Sequence, residues 1–235
     1  MDLLFRDDAY LKSCDAEVIS AGPEGIRLDR TIFYPEGGGQ PGDSGVLRFA
    51  DGRELRIADT HKGDDHNDSL LIPAEGEALP EVGGKVTAEL DWDRRYRHMR
   101  MHTCLHLLCS LVEGHVTGGQ VGAEKSRLDF NLPDGSPDKA WLTGELNRLI
   151  REDHAVTPVW ITDDELAAQP ELVRTMSVKP PSGAGRVRLL KIPGVDLQPC
   201  GGTHVARTGE IGPVEVGKIE NKGKQNRRIN LRFAG

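Results

Sequence analysis

The chain has 235 residues, with 30 Lys and Arg against 37 Asp and Glu and a net charge of −7. That length holds one large domain or two modest ones with a real core, and the acidic balance excludes a uniformly basic nucleic-acid coat while leaving room for local patches. The four cysteines, Cys14, Cys104, Cys109 and Cys200, are too few for a disulfide framework. The first residues show no signal peptide and no apolar run reaches a membrane span, so the expectation is a cytoplasmic protein with no membrane partner and with thiols free to bind metal.

Residues 1–90 read as β-rich. Short apolar stretches at 17–19, 26–28, 31–34, 46–49, 55–57, 70–72 and 86–90 are separated by Gly, Pro and Asp, the spacing of strands in a small barrel or closed sheet. From Asp93 to Glu113 there is neither Gly nor Pro, and Met101, Leu105, Leu108 and Val112 recur at helical spacing; Gly114 is the expected stop. A second helix is expected over 138–154, with Leu146, Leu149 and Ile150 as its apolar load. A third, short one follows Thr162, which can cap a first turn of Asp163, Asp164 and Glu165; Pro170 limits it or begins another turn. Strands are expected at 126–131, 156–161, 187–192, 214–220 and 227–233, and a mobile loop at 179–185. The fold class is α+β: a small N-terminal β-barrel domain over 1–90 with a glycine-rich motif, then an α+β domain over 91–235.

Two motifs carry chemistry. His102 and His106 lie four apart on the first helix and project from one face. The Glu that follows the first His in a zinc-protease motif is replaced by Thr103, so that reading fails. Cys200-Gly-Gly-Thr-His204 follows Pro199 and contains two glycines, a turn that can bring a thiolate and an imidazole to one ion. Together the pairs offer four N/S ligands, a set suited to one Zn2+ per chain. His98, one turn before His102, can replace His106 in this set or stand behind it.

With these motifs in hand, the chain resembles the editing domain of alanyl-tRNA synthetase and the freestanding alanyl-tRNA editing proteins of the AlaX family. The segment Tyr34-Pro-Glu-Gly-Gly-Gly-Gln-Pro-Gly-Asp43 resembles the glycine-rich segment of the longer AlaX proteins, and His115-Val-Thr-Gly-Gly-Gln120 resembles a substrate-pocket segment. The resemblance covers nearly the whole chain. It implies a β-barrel followed by a zinc-binding editing domain, and an aminoacyl-tRNA deacylase acting on tRNA(Ala) mischarged with serine or glycine. It implies that Thr117, and next Gln120, meet the serine hydroxyl, and that Gly37, Gly38, Gly39 and Gln40 shape access to the site, with Asp43 a further polar contact.

An acidic tRNA-binding protein needs concentrated positive charge. Arg94, Arg95, Arg97 and Arg100 precede the histidine pair, and Lys218, Lys222, Lys224, Arg227, Arg228 and Arg232 crowd the C-terminal end; Arg94, Arg95, Lys218, Lys222, Lys224, Arg227 and Arg228 are the candidate tRNA contacts. Two rival readings stay open: a zinc hydrolase of small esters or amides, and a non-enzymatic RNA-binding module with a structural zinc.

Overall fold

A computed structural model describes residues 1–64, 67–133, 135–175 and 185–234. The loop expected at 179–185 lies outside them apart from Gly185. The chain divides into two compact units, Met1–Gly37 with Pro41–Tyr96, and Gly38–Gln40 with Arg97–Gly235. The division therefore falls inside the first helix, a few residues beyond the expected boundary, and three residues of the glycine-rich segment belong to the second unit.

In the first unit the strands are β1 (Asp2–Leu3), β2 (Ser13–Gly22), β3 (Gly25–Leu28), β4 (Arg30–Thr31), β5 (Gly45–Phe49), β6 (Glu54–Lys62), β7 (Ser69–Pro73) and β8 (Lys85–Leu90). Six of them close a barrel in the order β2-β3-β7-β6-β5-β8, as the spacing of the apolar stretches predicts. Its core is Val18, Ile26, Leu28, Leu47, Leu55, Ile57, Leu71, Val86 and Ala88, with Ile32 and Phe33 packed among them. The stretch 31–34 is the exception to the strand reading. Only Arg30 and Thr31 pair, in parallel with β1. Beyond them the backbone is satisfied by buried side chains instead of a ladder: Tyr34 N donates to Asp43 Oδ2 at 2.6 Å, and Ile32 O accepts from Arg95 Nη2 at 2.7 Å.

Helix α1 (Trp92–Leu111) starts where Asp91 Oδ1 accepts from Arg94 N at 3.2 Å, an N-cap contact. It ends three residues before Gly114. The sequence suggests one apolar stripe, yet every residue from 101 to 109 is buried, so this stretch of helix is enclosed on all faces. Arg95 corrects the sequence reading. It is fully buried, its Nε lies 3.0 Å from both carboxylate oxygens of Asp43, and its Nη1 donates to Ala9 O at 3.0 Å. A guanidinium committed in this way holds the glycine-rich segment's end to α1 and is unavailable to a phosphate.

In the second unit are β9 (His115–Gln120), β10 (Lys125–Asn131), α2 (Lys139–Arg151), β11 (Thr157–Thr162), α3 (Asp163–Ala167), β12 (Arg186–Ile192), β13 (Asp196–Pro199), β14 (Val214–Asn221) and β15 (Asn226–Phe233). Among the described residues they form a sheet ordered β14-β15-β10-β9 and another ordered β11-β12-β13. Helix α2 is capped by Asp138, which accepts from Trp141 N, and buries Leu142, Leu146, Leu149 and Ile150. Asn147 ties it to β14, donating to Val214 O at 2.8 Å and accepting from Val214 N at 3.0 Å. Thr162 caps α3 with a full capping box to Glu165, as the sequence indicates, and Pro170 begins another turn. Strands β9 and β13 go beyond the sequence reading: one carries two glycines, the other is four residues long, and both exist because a neighbour supplies the ladder. No helix of the described residues is long and apolar enough to cross a membrane.

Candidate metal centre

The two spaced pairs converge. One ligand atom from each of His102, His106, Cys200 and His204 lies within 4.8 Å of the others. His98 is 1% exposed and stands outside this group, so His106 completes the set. The imidazoles come from the enclosed part of α1. The thiol and third imidazole come from the turn after β13, where Arg188 Nη1, on β12, donates to Cys200 O at 2.9 Å and Gly202 O at 3.0 Å. Gly202 is required here: a Cβ on it would stand 2.3 Å from His102 Cε1 and 2.8 Å from Gln40 Oε1.

Each imidazole uses its Nδ1 on a protein oxygen. His102 Nδ1 lies 2.8 Å from Gln40 Oε1, and the orientation of that amide is fixed because Oε1 also accepts from Thr203 N at 3.1 Å while Nε2 donates to Thr203 Oγ1 at 2.8 Å. His106 Nδ1 lies 2.9 Å from Asp196 Oδ2. His204 Nδ1 lies 3.2 Å from Thr103 Oγ1, whose own proton goes to Met99 O at 2.9 Å. In all three the oxygen accepts, so Nδ1 carries a proton and Nε2 is the nitrogen left to meet a metal. Two Nε2 atoms face the thiol directly: Cys200 Sγ is 3.6 Å from His102 Nε2 and 3.1 Å from His204 Nε2. In a tetrahedral zinc site with ordinary Zn–S and Zn–N bonds that separation is about 3.6 Å. The donor set, its convergence and its outer contacts fit a metal ion.

Charge within the site agrees. Burial opposes a thiolate at Cys200, but the imidazoles of His102, His204 and His106 outweigh it and hold the thiol well below its ordinary value. Burial also opposes protonation of His106, yet Cys200 and Asp196 push it up to about 10. Burial keeps His204 neutral. The site is thus set for a thiolate ligand. By contrast, burial alone pushes the Cys104 thiol up to about 12, and Cys109 goes to about 12 for the same leading reason; neither is a nucleophile.

Of the segments tied to substrate by resemblance, Gln40 reaches this centre and β9 runs beside Gly39. Gln40 is fully buried against His102. Gly39 O accepts from Val121 N at 2.7 Å, and a Cβ on Gly39 would reach Gly119 O at 2.8 Å, so β9 runs beside the segment that carries Gln40. Gly37 stays with the first unit, where its carbonyl accepts from Tyr34 Oη at 2.8 Å. On β9, Val116 faces Phe130 and Gly118 faces Asp129, which leaves Thr117 as the extra residue of a β-bulge, a device that re-aims side chains near active sites. Its hydroxyl donates to Asn226 Oδ1 at 3.3 Å. Gln120 is exposed and accepts from Arg127 Nε at 3.4 Å.

The basic residues divide by partner. Arg94 Nη2 donates to Gly42 O at 3.1 Å, and Arg100 donates to Ile211 O and lies over the Phe233 ring. Arg228 is paired with Asp129, Arg232 with Glu215 and Lys222 with Glu220. Lys218, Lys224 and Arg227 enter no ion pair among the described residues, and Lys218 and Lys224 are exposed. Asp196, Thr103 and Thr203 are site residues the sequence did not single out as such.

Comparison with known proteins agrees with the site. A profile described as the threonyl and alanyl tRNA synthetase second additional domain matches residues 187–230, the stretch holding Cys200 and His204, and one described as tRNA synthetases class II (A) matches residues 9–94. The chain is 40% identical over 240 residues to the alanyl-tRNA editing protein AlaX-M of Methanosarcina mazei, covering 97% of this chain and 94% of that one. It is 37% identical over 237 residues to AlaX-M of Methanosarcina acetivorans, covering 97% of each. It is also 34% identical over 226 residues to the alanine–tRNA ligase of Pyrococcus abyssi, covering 92% of this chain and 24% of the ligase.

Proposed function

The chain belongs to the AlaX family of alanyl-tRNA editing proteins, and on that footing we propose that it is a trans-editing deacylase. It hydrolyses the ester joining a wrong amino acid, serine first and glycine second, to the 3′ end of tRNA(Ala), at a zinc site. The observation that carries this reading is the convergence of His102, His106, Cys200 and His204, with each imidazole's Nδ1 committed to a protein oxygen.

These four residues would hold Zn2+, which when bound supplies positive charge beside the ester carbonyl or an attacking water. An aminoacyl ester is already activated, so positioning and charge suffice without a covalent nucleophile. That agrees with the chemistry of the thiols: Cys200 is a ligand, and Cys104 and Cys109 are buried and protonated. Serine differs from alanine by one hydroxyl. A site that hydrogen-bonds it leaves a polar group unpaired with alanine, which discriminates far better than fitting a methyl group. Thr117, in its bulge on β9, is the residue for that contact, with Gln120 behind it. Of the C-terminal candidates, Lys218, Lys224 and Arg227 are without a carboxylate partner among the described residues and are the first choice for phosphates.

The test is deacylation of Ser-tRNA(Ala), Gly-tRNA(Ala), Ala-tRNA(Ala) and a free seryl ester, with and without a chelator. Cleavage of the first two, abolished by the chelator and weak on the others, is the expected result. Cleavage of the free ester alone makes the protein a small-ester hydrolase. The four-ligand set favours one further reading, a structural zinc in an RNA-binding module; tRNA binding without cleavage supports it.

A further inference from the structure

We infer that Gln40 is a positioning residue for the metal site, and that the glycine-rich segment serves to deliver it. This assigns the motif to the ligand shell and not to the substrate. The inference rests on the metal reading of the site and is independent of which ester is cleaved.

Three observations carry it. First, Gln40 is fully buried, and both ends of its amide are committed inside the site. Oε1 accepts from His102 Nδ1 at 2.8 Å and from Thr203 N at 3.1 Å, and Nε2 donates to Thr203 Oγ1 at 2.8 Å. One side chain thereby joins a ligand on α1 to the turn that carries Cys200 and His204. Its two bonds to Thr203 fix which end of the amide faces the ring, and an oxygen in that place makes His102 Nδ1 the protonated nitrogen. Second, the backbone is shaped to insert it. Gly38 and Gly39 have φ of 58° and 82°, consecutive left-handed residues that only glycine adopts readily, and a Cβ on Gly39 would reach Gly119 O at 2.8 Å. Third, the opposing surface is cut to receive it: a Cβ on Gly202 would stand 2.8 Å from Gln40 Oε1 and 2.5 Å from His102 Nδ1. Glycines on both sides are what let the amide reach the imidazole.

The group that orients a metal-bound histidine is worth about 10- to 100-fold in metal affinity. Gln40→Leu keeps the volume and removes the acceptor. Gln40→Glu keeps an acceptor, and its second oxygen can take the Thr203 hydroxyl proton. Zinc affinity is measured by chelator competition on the full chain, without substrate, so a failed deacylation assay leaves this test intact. The expected result is a fall of about 10- to 100-fold for Gln40→Leu and affinity within a few-fold of the unaltered protein for Gln40→Glu. Nitrogen-15 spectra of the zinc-loaded, unaltered chain are expected to show the His102 proton on Nδ1, a readout that does not depend on any variant folding. A proton on His102 Nε2, full zinc affinity in Gln40→Leu, or a loss in Gln40→Glu as large as in Gln40→Leu would each overturn the inference. If deacylation fell in Gln40→Leu at unchanged zinc affinity, Gln40 would be a substrate contact instead.

Discussion

Thr103 stands where a zinc protease has its glutamate, and its environment says what it does. The side chain is fully buried. Its hydroxyl donates to Met99 O at 2.9 Å and accepts from His204 Nδ1 at 3.2 Å and Val205 N at 3.3 Å. Thr103→Val keeps the shape and removes the oxygen, so two donors lose their acceptor in a dry environment. A buried donor left unpaired costs about 1–3 kcal/mol; both bonds are long, which places each near the low end. His204 is one of the four candidate ligands, and the group that orients a metal-bound histidine bears on metal affinity. The Nδ1 contribution therefore falls mainly on zinc binding. About 1.4 kcal/mol corresponds to a tenfold change, so a contribution of about 1 kcal/mol should lower zinc affinity about fivefold. Thr103→Ser, which keeps the oxygen, should lose much less. Chelator competition on the three proteins measures this directly. If Thr103→Val bound zinc within twofold of the unaltered chain, Thr103 would be packing alone, and its role in fixing the His204 tautomer would be refuted.

Zinc uptake should release protons. Without metal His106 is pushed up to about 10 and is protonated at neutral pH, whereas Cys200 is held well below its ordinary value and is already a thiolate. Binding must remove the His106 proton, so affinity should weaken as pH falls below about 10, about tenfold per unit; calorimetry at pH 7.5 in buffers of different ionisation enthalpy should count roughly one proton from this residue, and a count of zero would contradict the assignment. Replacing Lys224 and Arg227 together by Ala should lower tRNA affinity and flatten its log–log salt dependence by about 1.4–1.8 for two lost phosphate contacts. Arg232→Ala, which removes a residue already paired with Glu215, should leave the slope unchanged. Thr117→Val should narrow the ratio of seryl- to alanyl-ester cleavage with zinc content intact, and an unaltered ratio would remove Thr117 from the specificity pocket.

The candidate ligands were legible because each pair is held by local geometry. Helical periodicity places His102 and His106 on one face, and two glycines after a proline make a turn of Cys200 to His204. The barrel was legible for a related reason: its strands alternate with turn residues at short range. Oxygens that complete the site come from elsewhere in the chain. Gln40 reaches His102 across 62 residues and Asp196 reaches His106 across 90, and no local pattern marks such pairs. Arg95 shows the same limit from the other side. In sequence it is one cation in a basic run, and only the fold reveals that Asp43, 52 residues away, neutralises it. Four ligand positions can be filled by almost any His and Cys that converge, but a site whose three imidazoles each present the same nitrogen needs three separate acceptors, drawn here from the glycine-rich segment, α1 itself and β13. That requirement explains why a metal centre visible as two short motifs depends on so much of the chain between and before them.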